Sequence, residues 1–422
     1  MAIARKIAAA LAAACLGAPG MALATPVTGG ALGPSDSESL LVLSSDGVKN
    51  GGTLQGLTTI TLDVDTEKAI SPPEGNVYIS ALQIHGRPFC SYYLADLQAA
   101  NGNKAKNAAK IREFWYDRNF TGAAAYVKVG PQRIDKEFVV STGSSLFINT
   151  VVGWPLVPSA ELYGGGPAYP LASPGVRLRV VPGQDVTLLG GVFNDNPGRG
   201  NFRDNAQQLD AKGARFNPKT GALFIAELQY AFNPGGVPGT YKAGFWYDSG
   251  RFAGQYFSEA GLSLADHASH GRPRQHHGNY SIYGVVDQVL WQSAVTQARR
   301  LSSFVRIMGA PDSRNRVGFG VNGGLTLTAP LPGRDADSVG LDVGLGHVSG
   351  RAAALDRAFG GSARGTEWLL ELTYQAQVTS RLVVQPDLQY VFNPGGGVAD
   401  PLDPHRMLGN EFIAGLRAVV AF

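Results

Sequence analysis

The fold is decided by the last stretch of the chain, Glu411-Phe-Ile-Ala-Gly-Leu-Arg-Ala-Val-Val-Ala-Phe422. Side chains of an extended strand point alternately to two faces, so every second residue of this stretch shares a face. The residues of that face are all apolar: Phe412, Ala414, Leu416, Ala418, Val420 and Phe422. An unbroken apolar face with a terminal aromatic residue is typical of the final strand of a membrane β-barrel, which has lipid outside and a wet lumen inside.

The first residues indicate export. A basic pair, Arg5-Lys6, precedes an Ala- and Leu-rich run, and Ala22-Leu-Ala24 offers a small-residue cleavage site. Residues 1–24 are therefore predicted to be a secretory signal peptide, and residues 25–422 to form one barrel domain. A lipoprotein signal ending at Cys15 is the weaker alternative, because the residue three positions before it is not bulky.

Composition narrows the class of protein further. After cleavage only Cys90 would remain, so no intrachain disulfide can hold the fold together. The mature chain has no apolar run long enough for a membrane helix. Its 55 glycines and 15 tyrosines suit the crowded walls and turns of a large all-β protein. A net charge of +3 is too small to indicate a nucleic-acid partner.

Alternating segments recur along the whole chain and predict a transmembrane antiparallel β-barrel of about sixteen strands. They are 38–45, 54–64, 77–86, 107–117, 122–130, 174–181, 184–194, 220–232, 240–248, 279–291, 300–309, 316–328, 338–348, 366–378, 381–392 and 411–422. An even number returns both ends of the chain to the same side of the membrane.

The connections between these segments alternate in length, which supports the assignment. Short turns are predicted at 117–122, 181–185, 233–236 and 379–380. Longer loops are predicted at 87–106, 131–173, 195–219, 249–278, 349–365 and 393–409. Short turns belong on the periplasmic side and long loops outside the cell.

The two faces of the strands differ in chemistry. In the segment 366–378, Trp368, Leu370 and Leu372 alternate with Glu367 and Glu371. Charges on one face and aromatic or aliphatic residues on the other indicate a polar lumen. A soluble β-sandwich with one wet face would show the same alternation, but it accounts less well for the number of strands and for the aromatic residues at their ends.

The longest loop, 131–173, joins the fifth and sixth predicted strands and is too apolar for a solvated flap. Its large apolar residues are Phe138, Phe147, Ile148, Trp154, Leu162, Tyr163 and Tyr169. Folding into the lumen would give them a wall to pack against and would narrow the channel. An external plug that packs on other loops is the alternative.

Charges of both signs and aromatic residues face the predicted constriction. The candidate pore-lining residues are Glu113, Trp115, Lys128, Arg133, Asp135, Lys136, Glu137, Trp154, Arg177 and Arg179. Charged hydrogen-bonding groups beside aromatic rings suit sugars, which offer hydroxyl groups and flat apolar ring faces. An ion-selective pore would more simply carry one sign of charge. Arg112 points to lipid by parity, so either its side chain snorkels to the membrane surface or the register slips there.

Several motifs resemble the carbohydrate-selective porins of the OprB type. They include Asn76-Val-Tyr-Ile-Ser80, Arg112-Glu-Phe-Trp-Tyr-Asp117, Ile134-Asp-Lys-Glu-Phe138 and Gln385-Pro-Asp-Leu-Gln-Tyr390, in family order over almost the whole mature chain. The resemblance implies a bacterial outer-membrane channel that passes glucose and other small sugars down a gradient, without catalysis or cofactor. The family usually has Glu-Gln where this chain has Asp117-Arg118, so the acidic and aromatic residues of the motif are kept and the turn after them is changed.

Other functions remain as alternatives. A general or other-solute porin would share the fold. His267, His270, His276 and His277 crowd one loop, but their spacing matches no structural metal site. A barrel lipase would need a Ser-His pair, and the sequence has no Gly-x-Ser-x-Gly motif that would carry the serine. A TonB-type receptor would need a far longer chain with a plug domain. The expected partners are small sugars, outer-membrane lipid, the outer-membrane assembly machinery and, in a homo-trimer, further copies of the chain.

Overall fold

The computed structural model describes residues 31–32, 35–45, 47–66, 75–102, 107–120, 122, 124–202, 206–210 and 212–422. The predicted signal peptide lies outside the described residues. One sheet holds seventeen strands, of which the two-residue strand Ala31–Leu32 pairs with Leu62 and Asp63 at the edge of the ring. The other sixteen strands form the barrel wall.

These sixteen strands follow the chain order around the ring. They are β1 (Asp36–Ser45), β2 (Gly51–Asp65), β3 (Asn76–Gly86), β4 (Ala108–Phe120), β5 (Ala125–Gln132), β6 (Ser173–Val180), β7 (Val186–Asn194), β8 (Ala222–Phe232), β9 (Gly239–Ser258), β10 (Pro273–Gln292), β11 (Arg300–Gly309), β12 (Val317–Thr328), β13 (Ser338–Val348), β14 (Thr366–Gln377), β15 (Leu382–Phe392) and β16 (Glu411–Ala421). Each strand pairs antiparallel with its sequence neighbours, and β16 pairs with β1 to close the ring. The predicted sixteen-stranded antiparallel barrel is confirmed.

The two faces of the strands are those predicted. In β14, Glu367 and Glu371 are buried, while Trp368, Leu370 and Leu372 are 45%, 39% and 47% exposed. In a barrel the exposed apolar face is the one that meets lipid, and the buried polar face is the inner one. The wall therefore presents an apolar exterior and a polar interior.

The predicted 249–278 loop is wrong over much of its length, because β9 continues to Ser258 and β10 begins at Pro273. Arg251 pairs with His277 and Phe252 pairs with His276, so the two strands extend as a hairpin beyond the predicted ends. A register shift follows Asp248 in this pairing. Such an irregularity breaks the two-residue period, which is why alternation in the sequence stops before the strand does.

Helices are short and lie in the connections. They are α1 (Cys90–Tyr93), α2 (Thr150–Gly153), α3 (Leu156–Glu161), α4 (Ala206–Leu209) and α5 (Gly350–Ala358). Single 3-10 turns occur at Gly143–Leu146, Tyr163–Gly165, Pro234–Gly236, His267–Ser269 and Pro394–Gly396, and a small hairpin pairs Ala399–Asp400 with Asp403–Met407. None of the helices in the described part of the chain combines the length and apolarity needed to cross a membrane.

The largest apolar cluster lies between the β5–β6 connection and the inner wall. Phe138, Phe147 and Val152 of this connection are buried together with Trp246 of β9 and Phe304 of β11. The rings of Phe147 and Phe304 are 5.7 Å apart at their centroids. Removing these side chains from water stabilises the connection against the wall.

Candidate functional site

Inward-facing acidic side chains hold the β5–β6 connection, residues 133–172, against the far wall. Glu227 of β8 accepts a hydrogen bond from the backbone N–H of Val139 at 2.7 Å. Glu371 of β14 accepts one from the N–H of Ile148 at 2.6 Å. Buried backbone N–H groups need acceptors where water is excluded, and these carboxylates supply them.

A single arginine of the wall satisfies the carbonyl groups of the same connection. The guanidinium group of Arg306, only 1% exposed, donates to the carbonyl oxygens of Val139, Val151 and Gly153 at 3.2, 2.9 and 3.1 Å. Arginine can do this because it carries five donors in a fixed plane. Hydrogen bonds to its N–H groups and to its carbonyl groups thus join the connection to strands across the barrel.

In α3, Glu161 accepts a hydrogen bond from the N–H of Val317 at 2.7 Å. Burial raises the pKa of Glu161 to about 7, and the bond from Val317 only partly offsets this. The positive charge of Arg316 also lowers this pKa, but the loss of water around the carboxyl group outweighs both effects and favours its neutral form.

A cavity of about 750 Å³ remains between the connection and the wall formed by β1 to β5 and β16. Five of the ten candidate residues line it, namely Glu113, Trp115, Lys128, Arg133 and Lys136. The sequence analysis missed other lining residues, including Asp36, Glu38, Asp63, Tyr78, Arg112 and Arg417. The cavity also reaches Tyr169, Phe147 and Ile148 of the connection.

A bulge in β4 turns Arg112 into the lumen. Ser80 pairs with Glu113 and the next residue, Ala81, pairs with Ile111, so Arg112 is an extra residue on β4. Two residues then oppose one, and both Arg112 and Glu113 are buried on the inner side. The Arg112 Nε atom lies 3.3 Å from the Ser80 hydroxyl and 3.7 Å from the Glu113 carboxylate. The lipid-facing position expected from parity is wrong, and the register slip is the reason.

Aromatic rings adjoin this charged pair. The rings of Tyr78 and Trp115 are stacked with centroids 4.7 Å apart, and the Lys128 ammonium lies 4.3 Å from the Trp115 centroid. Trp115 also lines the cavity. Among the described residues the buried indole N–H of Trp115 has no hydrogen-bond acceptor. It is a donor without a protein partner, and such groups call for a ligand or water.

Arg133 and Asp135 form a two-point ion pair at the start of the connection. The Arg133 Nε and Nη2 atoms lie 2.9 and 2.8 Å from the two Asp135 oxygens. Burial alone would raise the pKa of Asp135, but the charge and hydrogen bonds of Arg133 hold it below its usual value. The pair also fixes Tyr169, whose N–H donates to Asp135 and whose ring lies 5.5 Å from the Arg133 guanidinium.

Glu137 joins two cations of the wall. Its carboxylate pairs with Lys128 of β5 and, at 2.6 Å, with Arg177 of β6. These two cations lower the pKa of Glu137 although burial opposes the shift. Arg179, two residues further along β6, lies over the Tyr126 ring at 5.2 Å. Four of the ten candidates are close to the cavity in sequence but do not line it, namely Asp135, Glu137, Arg177 and Arg179.

Trp154 is placed away from the cavity. It is 7% exposed, and its indole N–H donates to the Gly165 carbonyl at 2.8 Å within the same connection. The missed residues lie mostly on β1 to β3, where Tyr78 shares a strand face with Ser80. Two of the missed residues, Tyr78 and Arg112, lie inside motifs that resemble the family, and this position was a signal that could have found them.

The histidine-rich segment contributes strand pairing, with His276 and His277 in β10 opposite Phe252 and Arg251. Within the described ranges, no group of three or more His, Cys, Asp or Glu side chains is arranged to hold a metal ion.

A closed barrel of sixteen antiparallel strands, with an apolar exterior, a polar interior and one connection tied to the inner wall, defines an outer-membrane porin. The sequence profile of the carbohydrate-selective porin family, OprB, matches residues 49–422. The chain belongs to this family, and the family and the barrel indicate the bacterial outer membrane as its location. They are the family and fold of a channel rather than an enzyme.

Relatives agree with this assignment. Porin B of Pseudomonas aeruginosa is 24% identical over 274 residues, which are 60% of this chain and 56% of Porin B. The matched region thus spans little more than half of that relative. A high-pH structure of Pseudomonas putida OprB has a TM-score of 0.82 and 18% identity over 94% of both chains. The outer-membrane channel DcaP of Acinetobacter baumannii has a TM-score of 0.51 and 11% identity over 95% of this chain and all of its own. These structural likenesses show the fold.

Proposed function

We propose that the protein is a passive channel for small sugars, which diffuse through the lumen into the periplasm without a catalytic step or cofactor. The observation that carries the proposal is the cavity of about 750 Å³, which is lined by the Arg112–Glu113 pair and by the stacked rings of Tyr78 and Trp115. Charged hydrogen-bonding groups bind sugar hydroxyls, and aromatic carbon packs against the apolar face of a sugar ring. Family membership supports the same substrate class.

The β5–β6 connection would act as the constriction in this proposal. Its hydrogen bonds to Glu227, Glu371 and Arg306 support an inward position, because those side chains lie on the inner wall of three separate strands. A narrow passage brings every solute close to the lining residues, so even a weak binding site can distinguish one solute from another. Binding must stay weak, since a channel also has to release its solute. Insertion by the outer-membrane assembly machinery and assembly as a homo-trimer belong to the same proposal.

The test is single-channel recording of the purified protein in a planar bilayer with increasing glucose. We expect a saturable block at millimolar glucose. Trp115→Phe keeps an aromatic ring, although a smaller one, and removes the N–H donor, so it should weaken the block by roughly twofold to tenfold, the effect of losing about 0.5–1.5 kcal/mol. Trp368→Phe is the matched control, because Trp368 lies on the outer face.

Two results would contradict the proposal in different ways. If no neutral sugar blocks the ion current, the protein is a general diffusion porin, which is the second candidate function. A block that Trp115→Phe and Trp368→Phe change equally would keep a sugar channel but remove Trp115 from its binding site.

A further inference from the structure

Charge is not evenly spread over the cavity lining. Arg112, Arg133 and Lys136, here called the cationic group, all line the side of the cavity beside the β5–β6 connection. Two of the three have a local carboxylate, since Asp135 binds Arg133 and Glu113 lies 3.7 Å from Arg112. The cationic group therefore holds three positive charges against two negative ones.

Lys136 is the member of the cationic group that forms no ion pair with a described residue. It is exposed to the cavity, and within the described part of the chain no carboxylate lies within ion-pair distance of its ammonium group. Repulsion by Arg133, together with burial, lowers the pKa of Lys136 below its usual value. A lysine whose pKa is lowered by neighbouring cations lies in a region of positive potential. An anion that enters the cavity would be attracted to this point.

Carboxylates lie further along the lumen. Asp36 is the first residue of β1, at the end of the barrel that carries the short turns, and Asp63 pairs in register with Tyr78. Tyr78 is two residues nearer the short turns than Ser80, which pairs with Glu113 of the bulge. An anion that moves from the cationic group towards the short-turn side therefore meets repulsion from these carboxylates, and the positive potential is confined to the cationic group.

The geometry points to a site for carboxylated sugars: we propose that the channel binds sugar acids, such as aldonic and uronic acids, more tightly than neutral sugars of the same size. The carboxylate would pair with Lys136 beside Arg112 and Arg133, while the sugar hydroxyls contact Glu113 and Trp115. This inference rests on the proposed sugar channel and adds a preferred class of substrate to it. Arginine and lysine form strong charge-assisted hydrogen bonds with carboxylates, and neutral hydroxyls form weaker ones.

The test compares glucose with sodium gluconate as blockers of single channels, with an equal concentration of sodium chloride as the blank. Low salt is used because the Debye length is about 10 Å at 0.1 M and shrinks as salt rises. We expect gluconate to block at lower concentration than glucose, and this advantage to fall as salt is added. Lys136→Gln should weaken the gluconate block by roughly 1.5-fold to fivefold, the range of a solvent-exposed ion pair, and leave the glucose block unchanged. Lys219→Gln is the control, because Lys219 is exposed on another loop.

The outcomes separate this inference from the proposed function. If glucose blocks and gluconate blocks no better, the sugar channel stands and the preference for sugar acids is wrong. If Lys136→Gln weakens both blocks equally, the lysine shapes the passage without selecting anions, and the inference is overturned. If neither solute blocks, both proposals fail together.

Discussion

At the scale of single residues, one inserted position in β4 shapes the cavity. Without the bulge, Arg112 would face lipid, and the lumen would hold Glu113 without its neighbouring cation. Sequence parity predicts the lipid-facing position, because a bulge has no compositional signature of its own. The only warning in the sequence is the charge itself, since an arginine on an apolar face is unfavourable. Predicting the inner position of Arg112 therefore requires the pairing register of β4 with β3, and the location of the strand alone is not sufficient.

The role of Arg112 gives a prediction about ion selectivity. Arg112→Gln removes one positive charge from the lumen and leaves Glu113 without it. A unit charge at ~10 Å in water is worth about 0.4 kcal/mol, and its removal favours cations and disfavours anions by this amount, so the preference for cations over anions should rise roughly fourfold. Reversal potentials across a potassium chloride gradient measure this ratio, and Arg357→Gln on the exposed side of α5 is the control. An unchanged reversal potential would place Arg112 outside the conduction path.

At the scale of elements, strands were predictable and connections were less so. All sixteen strand positions followed from alternation, because lipid and lumen impose a strict two-residue period. The strand ends at Ser258 and Pro273 did not follow, since the hairpin there lies beyond the region where alternation is imposed. The partners of the long connection, such as Glu227 and Arg306, could not be found from sequence, because nothing local links residues on distant strands.

The β5–β6 connection gives a prediction at this scale. Arg306→Met keeps much of the side-chain bulk but removes the donors to Val139, Val151 and Gly153. Each hydrogen bond from a charged group is worth about 1.5–3 kcal/mol, so the connection should loosen. We expect higher single-channel conductance and larger open-channel noise than in the unchanged protein. Arg299→Met in the exposed β10–β11 turn is the control. Identical conductance and noise in the two variants would mean that the connection does not narrow the passage.

At the scale of the whole molecule, the final strand closes the ring. β16 pairs with β15 on one side and with β1 on the other, and the N–H of Phe422 donates to the Ser35 carbonyl at 3.0 Å. The last stretch of the sequence was sufficient to predict this role, because its apolar face is unbroken. Family membership then extended the prediction to the whole chain. The cavity was predicted only in part, since five of ten candidate residues line it.

Ring closure predicts a defect in assembly. Phe422→Asp puts a charge on the lipid-facing side of the closing strand, which should reduce the amount of folded barrel in the outer membrane at least roughly threefold. Phe359→Asp is the control, because Phe359 is 67% exposed in the loop after α5 and lies outside the wall. The folded fraction is measured as the heat-modifiable band of outer-membrane preparations on gels. Equal amounts of folded protein in the two variants would contradict a role of Phe422 in the assembly of the barrel.

The anchoring of the β5–β6 connection also sets an order of events during biogenesis. The partners of its backbone N–H groups come late in the chain, with Glu227 lying 88 residues after Val139 and Glu371 lying 223 residues after Ile148. Until those strands exist, the polar backbone of the connection has only water to bond to. Contacts so distant in sequence form slowly, because the intervening chain must first be ordered. The connection can therefore dock only after the strands that carry its partners have folded, and its backbone N–H and carbonyl groups stay hydrated until then.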